Sequence, residues 1–268
     1  MVACDVGRLR GGPMTILSPT THGDLGWRPA RGFGFARGVA LVPVALAELP
    51  RVAQAMPVAF SKSDRRWQAL AVMGPIEGAN VLVSREGKWR ASYVPALLRV
   101  YPFRLVEPEA LALWSNYTPE HEAGEGAQPF YKDGALAPWL QQTLTFLKTV
   151  QSGIGALHTP LAGLEAAGAL VPWAGPKLEV PQPERALRGL FALDSERLSA
   201  CDESHALNLF QAGHLRWLYA HLDSLHHTER FKALARDLVA PQGEAAGKPD
   251  KLDQVADVLA TLAEEMGG

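Results

Sequence analysis

Between Pro57 and Val106 the chain reads PVAFSKSDRRWQALAVMGPIEGANVLVSREGKWRASYVPALLRVYPFRLV. No other stretch limits the accessible folds as much. Its apolar runs are short and are separated by Gly, Asn, Pro and charged residues, the pattern of strands joined by turns. Trp67 to Met73 is the clearest strand. Under the two-residue period Ala69, Ala71 and Met73 share one face, and Leu70 and Val72 share the other. Apolar character on both faces points to a sheet covered by helices, not one left wet. Val58 to Phe60 forms a shorter strand before it, joined through the polar turn SKSDRR. After GPIEGAN, Val81 and Val83 predict a further strand, and VLVS with KWRAS reads as a hairpin about Glu86-Gly87. YVPALLR predicts a short helix, and YPFRLV returns to extended chain.

The flanks extend this core. A strand is expected near Val39 to Val44, followed by a brief helix in AELPRVAQ that ends before Pro57. Residues 1–32 read as a flexible lead-in, with a second start at Met14 after a Gly/Pro-rich preface. Residues 107 to 132 hold many turn formers and read as a mobile boundary or a loop over the core. ALAPWLQQTLTFLKTVQ predicts a helix with Leu136, Leu140, Leu144 and Leu147 on one stripe, interrupted by Gly153 and Gly155. Thr159-Pro160 reads as N-cap and first turn of a second helix, which Gly168 stops. KLEV and ALRGLFAL predict two short strands. Asp194 and Asp202 are placed to cap the helices that follow them. Trp217, His221 and Leu225 form a stripe on HLRWLYAHLDSLHH. A linker is expected over 241–250. The final helix over 251–268 is amphipathic through Leu252, Val255, Val258, Leu259 and Leu262. The fold class is therefore α+β. A compact mixed or antiparallel sheet region covered by helices, with a largely helical C-terminal portion, spans one domain over 33–240.

With 268 residues the chain is long enough to bury one large core. A formal net charge of -2 without a dense Lys/Arg block argues against a nucleic-acid partner. There is no secretory pattern at the start and no apolar span of roughly 20 residues, so no integral membrane insertion and a cytoplasmic location are expected. Cys4 and Cys201 make neither a disulfide scaffold nor a four-ligand zinc site. His214 and His221 stand seven apart, which is not the spacing of a helical metal pair, so the histidines read as structural or surface residues. Cys201, Asp202 and His205 read as a free thiol beside a helix cap. GFGFARG lacks dinucleotide-loop spacing, and no Walker or GxSxG motif occurs. Hence no catalytic residue, no cofactor and no metal ligand is assigned.

The segment GANVLVSREGKWRASYVPALLRVYPFRLV resembles the core signature of the SapC family of bacterial proteins. Asn80, Gly87, Trp89, Tyr93, Pro95, Arg99, Tyr101, Pro102 and Phe103 stand at the matching positions. PVALAELPRVAQAMPVAF and RGLFALDSERLSACDESHALNLFQAGHLRWLYAHLDSL are similar to its flanking segments, so the resemblance covers residues 14 to 235. It implies an association with bacterial surface-layer biology and brings no catalytic residue with it. The residues themselves leave two roles open for this cluster, packing or a peptide- or ligand-binding groove. Asn80, Arg99 and Tyr101 supply directional polar groups, while Trp89, Tyr93 and Phe103 supply aromatic surface. These six are the candidate recognition residues. The expected function is that of a noncatalytic binding or accessory protein with a protein or peptide partner. The alternative is a small-molecule-binding protein or a cofactor-independent enzyme that uses the same cluster.

Overall fold

A two-residue turn sets the centre of the fold. Asp64 and Arg65 both adopt left-handed backbone, with φ of 49° and 63°, the conformation that joins adjacent antiparallel strands without splaying them. The turn links Val58–Ser63 to Arg66–Val72 in register from Ser63 opposite Arg66 to Val58 opposite Ala71. The polar turn expected over SKSDRR is thus contracted to its middle. Lys62 and Trp67 remain in the ladder because Glu165 takes both, accepting from Lys62 Nζ at 2.7 Å and from Trp67 Nε1 at 2.9 Å.

The computed structural model describes residues 15–106, 110–114, 117, 120–121, 127–176, 186–201 and 203–239. Its main sheet has five antiparallel strands in the order Leu170–Pro172, Leu190–Leu193, Val58–Ser63, Arg66–Val72, Leu41–Val44. Every residue from Trp67 through Val72 is buried, Gln68 included. Helices Leu49–Ala53, His158–Ala166 and Leu215–Ser224 pack against these strands, so the helical cover expected from the sequence is present. On the outer strand Leu41–Val44 proline removes one of the outward-facing donors. The Val72 N–H turns to the Pro57 carbonyl, so Leu41 and, two residues on, Pro43 direct their backbone outward, where Pro43 offers no N–H.

A second sheet consists of the hairpin Phe103–Val106 and Ala110–Leu113 with Thr15–Ile16 on its far side. A third places Leu25–Trp27 between Glu120–His121 and Gln128–Pro129. From Thr15 onward, therefore, the lead-in expected to be flexible supplies strands, and Leu17 is buried with Phe103, Phe130 and Leu140 in a second apolar core. Its alternation is too brief to register as a strand pattern. Phe130 is followed by the small hairpin Tyr131–Lys132 and Ala135–Leu136, so Leu136 precedes the helix Pro138–Gly155 instead of sharing its stripe.

Three further expectations are corrected by packing. VLVS and KWRAS turn at Gly87, whose φ is 80°, but pair only at a bridge between Val83 and Trp89. The Asn80 side chain takes the Leu82 N–H at 2.9 Å and donates to the Ala36 carbonyl at 3.0 Å, which bends the approach out of a ladder. Gly153 does not interrupt its helix. A Cβ placed there would lie 2.9 Å from Ala45 Cβ, so the missing side chain lets the helix approach, and the Gly153 carbonyl receives the Leu46 N–H. Thr159 is not an N-cap. The helix begins at His158, whose Nδ1 accepts the Trp67 N–H at 3.1 Å.

Gly168 does end that helix, with φ of 70°, and Asp194 caps Ser195–Ser199 by accepting the Glu196 and Arg197 N–H groups. Helices Glu203–Gln211, Leu215–Ser224 and Thr228–Val239 give the helical C-terminal portion. The 1–14 preface, the KLEV strand, the Asp202 cap, the 241–250 linker and the 251–268 helix lie outside the described residues.

On Leu215–Ser224, Trp217 and His221 are buried as expected, and Leu225 lies half-buried just past its end. His221 accepts the Leu193 N–H at Nε2, 3.1 Å away, with its ring 4.4 Å from Phe60. That contact makes Nδ1 the protonated nitrogen of a neutral imidazole. Burial pushes its pKa down to about 3, against an opposing backbone interaction with Val58. In the unfolded chain His221 protonates near its ordinary value of 6.5. Between these values the unfolded state binds the extra proton, so stability falls as pH falls. Burial pushes His214 and His227 in the same direction.

Two outcomes are expected. In urea denaturation series at descending pH, the native chain loses stability through buried His221 by up to about 1.4 kcal/mol per pH unit, and His221→Gln reduces that slope by one proton. An unchanged slope would contradict the buried neutral ring. Gly153→Ala destabilises the fold although alanine is the better helix former by about 1 kcal/mol, and adding Ala45→Gly restores the loss. A stabilised single variant would show that the contact has room.

Candidate functional site

The carboxylate of Glu48 organises the region where three of the candidate recognition residues meet. It sits 7% exposed just before helix Leu49–Ala53. Glu48 Oε1 accepts the Ala45 N–H at 3.3 Å, and Oε2 accepts the Ala96 N–H at 2.9 Å and the Tyr93 hydroxyl at 3.0 Å. Buried carboxylates survive only with such donors around them. Trp89 Nε1 donates to the Tyr93 carbonyl at 2.9 Å. Exposed Arg99 covers the assembly, its guanidinium 5.7 Å from the Tyr93 ring and 5.6 Å from the Phe146 ring. Burial, then the nearby Glu48 charge, raises the Tyr93 pKa against the pull of Arg99. The hydroxyl is therefore a donor. Glu48 was absent from the candidate set; its signal is an acidic residue inside the apolar run VALAELP.

Tyr101 belongs to a neighbouring group. It stacks on Phe35 with centroids 3.7 Å apart and planes 10° apart, and meets Trp114 and Tyr117 edge-on at 5.5 and 5.9 Å. Phe33 lies 6.0 Å from Phe35 and 5.3 Å from Trp89, so a continuous run of rings joins the two groups. Phe33, Phe35 and Trp114 are likewise additions to the sequence-derived set, and GFGF was the visible trace of the two phenylalanines. Phe103 is instead 2% exposed in the second core beside Trp27, Phe130 and Trp139. Asn80 is 3% exposed, its amide engaged by the Ala36 and Leu82 backbone. The six residues thus occupy four different surroundings.

Beside these groups lies a cleft of about 810 Å³, bounded by Pro43, the Ser63–Gln68 strand region, Phe103–Val106 and the Leu147–Gly155 part of the long helix. Trp67, Leu97, Phe103, Trp114, Leu147 and Ile154 give it apolar walls, and Asp64, Arg66, Arg104, Gln151 and Ser152 add polar groups. Phe103–Val106 is the outer strand of its sheet. Its Leu105 stands opposite Leu111, whose carbonyl turns away to receive the Leu17 N–H at 2.8 Å. The alternation of the ladder then directs the Leu105 N–H and C=O outward, along the strand that lines the cleft. Arg104 lies 5.9 Å over the Trp114 ring. Among the described residues no group of three or more His, Cys, Asp or Glu side chains is placed to hold a metal ion, and no helix is long and apolar enough to cross a membrane.

Removing the Glu48 carboxylate strands two backbone donors and a hydroxyl. Glu48→Ala is expected to destabilise the fold by about 3 kcal/mol or more, and Tyr93→Phe by about 1 kcal/mol, both read by equilibrium denaturation. Similar small losses for both would remove Glu48 from the centre of the assembly. Comparisons find no match among curated proteins and none among solved structures. One family model, named SapC, matches residues 17–231. That interval holds the main sheet, the Glu48 assembly and every residue lining the cleft, and the chain belongs to the SapC family.

Proposed function

We propose that this SapC-family chain is a noncatalytic binding protein that receives an extended peptide segment of a protein partner in the cleft beside Phe103–Val106. The observation that carries the reading is an open strand edge at Leu105 on a cleft with apolar walls. A peptide added to such an edge gains backbone hydrogen bonds from its main chain and specificity from alternate side chains. Leu97, Leu105 and Val106, only half-buried on this lining, offer apolar surface to those side chains. Arg66 on the same lining favours a peptide that carries a carboxylate. The partner is sought among surface-layer or peptide-handling proteins, following what the family resemblance implies.

The test is an array of extended peptides with and without acidic residues, probed with the native chain and with Leu105→Pro. Proline removes the outward N–H and is tolerated at a strand edge. Retained peptides are expected to be enriched in acidic and apolar residues, and their affinity is expected to fall roughly tenfold in the variant, the size of one lost hydrogen bond. Equal binding by a folded Leu105→Pro chain, or an array without retained peptides, would overturn strand addition.

A further inference from the structure

A second, smaller cavity of about 420 Å³ is lined by Arg31, Gly32, Arg37, Glu86, Gly87 and Tyr101, among others. Two loops build it. The Phe33 N–H donates to the Gly87 carbonyl at 2.7 Å, and Arg37 Nη2 donates to the Arg85 carbonyl. A Cβ on Gly32 would lie 2.9 Å from the Gly87 carbonyl oxygen, so the approach needs glycine there. This zipper holds the Arg37 guanidinium in place by a backbone carbonyl, not by a carboxylate.

The charge of Arg37 is consequently under-compensated. Its Nε is buried without a hydrogen-bond partner, although buried donors are nearly always satisfied. Arg31, on the same cavity, is exposed. The one acidic side chain on this wall, Glu86, accepts instead from Ser84 Oγ at 2.7 Å, and the cations that lower its pKa are Lys88 and Arg90. Tyr101 and Tyr117 bring phenol groups to the same rim. Burial, then Tyr117, pushes the Tyr101 pKa up to about 12, so its hydroxyl stays protonated beside an incoming anion.

We propose that this cavity is a binding site for the oxyanion of a small organic acid, a carboxylate or phosphate group held by Arg37 and Arg31, with its organic body against the Phe35–Tyr101 stack. Guanidinium forks match both oxyanions in a bidentate manner, and the stacked rings present apolar surface next to the charge. The site is separate from the open strand edge and does not depend on peptide binding there.

The experiment titrates the full chain with benzoate, phenyl phosphate, inorganic phosphate and, as the neutral control, benzyl alcohol. Binding is followed by calorimetry and by the Nε–Hε signals of the arginines in NMR. Benzoate or phenyl phosphate is expected to bind saturably and shift the Arg37 signal, while benzyl alcohol leaves it unmoved. The comparison of the first two decides between carboxylate and phosphate. Inorganic phosphate bound more weakly than phenyl phosphate supports the aromatic wall, and equal binding overturns that part of the proposal. Arg37→Gln and, separately, Arg31→Gln should each weaken the binding roughly tenfold or more, as the loss of a charge-assisted hydrogen bond does. Should Arg37→Gln fail to fold, the native Arg37 signal and Arg31→Gln carry the decision. No shift of the Arg37 signal with any anion, or equal binding of benzyl alcohol, overturns the oxyanion site.

Discussion

A strand buried on both faces has no water to satisfy the backbone groups that its ladder leaves over, so other residues must do so. In this chain three side chains from covering helices meet that demand. His158 takes the Trp67 N–H just beyond the reach of the outer strand, Ser224 takes the Val58 N–H at 3.0 Å, and His221 takes the Leu193 N–H. Each contact joins a helix to a definite point of the sheet, so the helices are fixed in register as well as covered. The apolar matching of Phe60 with Trp217 and of Trp67 with Phe191 then fills the space between those points. The cleft is what remains where this arrangement meets the second sheet.

The parts legible in sequence are those where a local rule and the tertiary environment agree. The Trp67–Val72 pattern is such a case, since its unbroken apolar run has no other stable use than a covered strand. Asp194, a capping residue before a polar turn of helix, is another. The misreadings have one physical origin, namely contacts between distant residues. Gly153 reads as a helix breaker until Ala45 is known to stand against it. VLVS reads as one arm of a hairpin until the Asn80 amide before it is found bridging Ala36 and Leu82. The short strands from Thr15 to Trp27 gain their order from partners a hundred residues away, a pairing that leaves almost no local trace.

The candidate site was legible in kind and not in arrangement. Trp89, Tyr93 and Arg99 do converge, but on Glu48, 45 residues before Tyr93. Phe103 shares a sequence motif with Tyr101 and faces a different core, because the strand that starts there turns it toward Trp139. Trp114 connects the two cavities: it lines the cleft and meets Tyr101 and Phe35, which line the smaller cavity, edge-on. One indole therefore serves as a partition between two spaces of different chemical character.

The close approach of Gly153 to Ala45 acts as a caliper. The helix that carries Gly153 also carries Leu147, Gln151, Ser152 and Ile154, which form one side of the cleft, while Pro43 on the facing strand helps form the other. The gap is accordingly graded by the summed bulk of two small residues that are not themselves in the cleft wall. A methyl group added at Gly153, or removed from Ala45, would change this approach and leave the lining residues of the cleft as they are. On the proposed peptide-binding reading, selectivity by size can therefore drift independently of selectivity by charge, within one unchanged architecture.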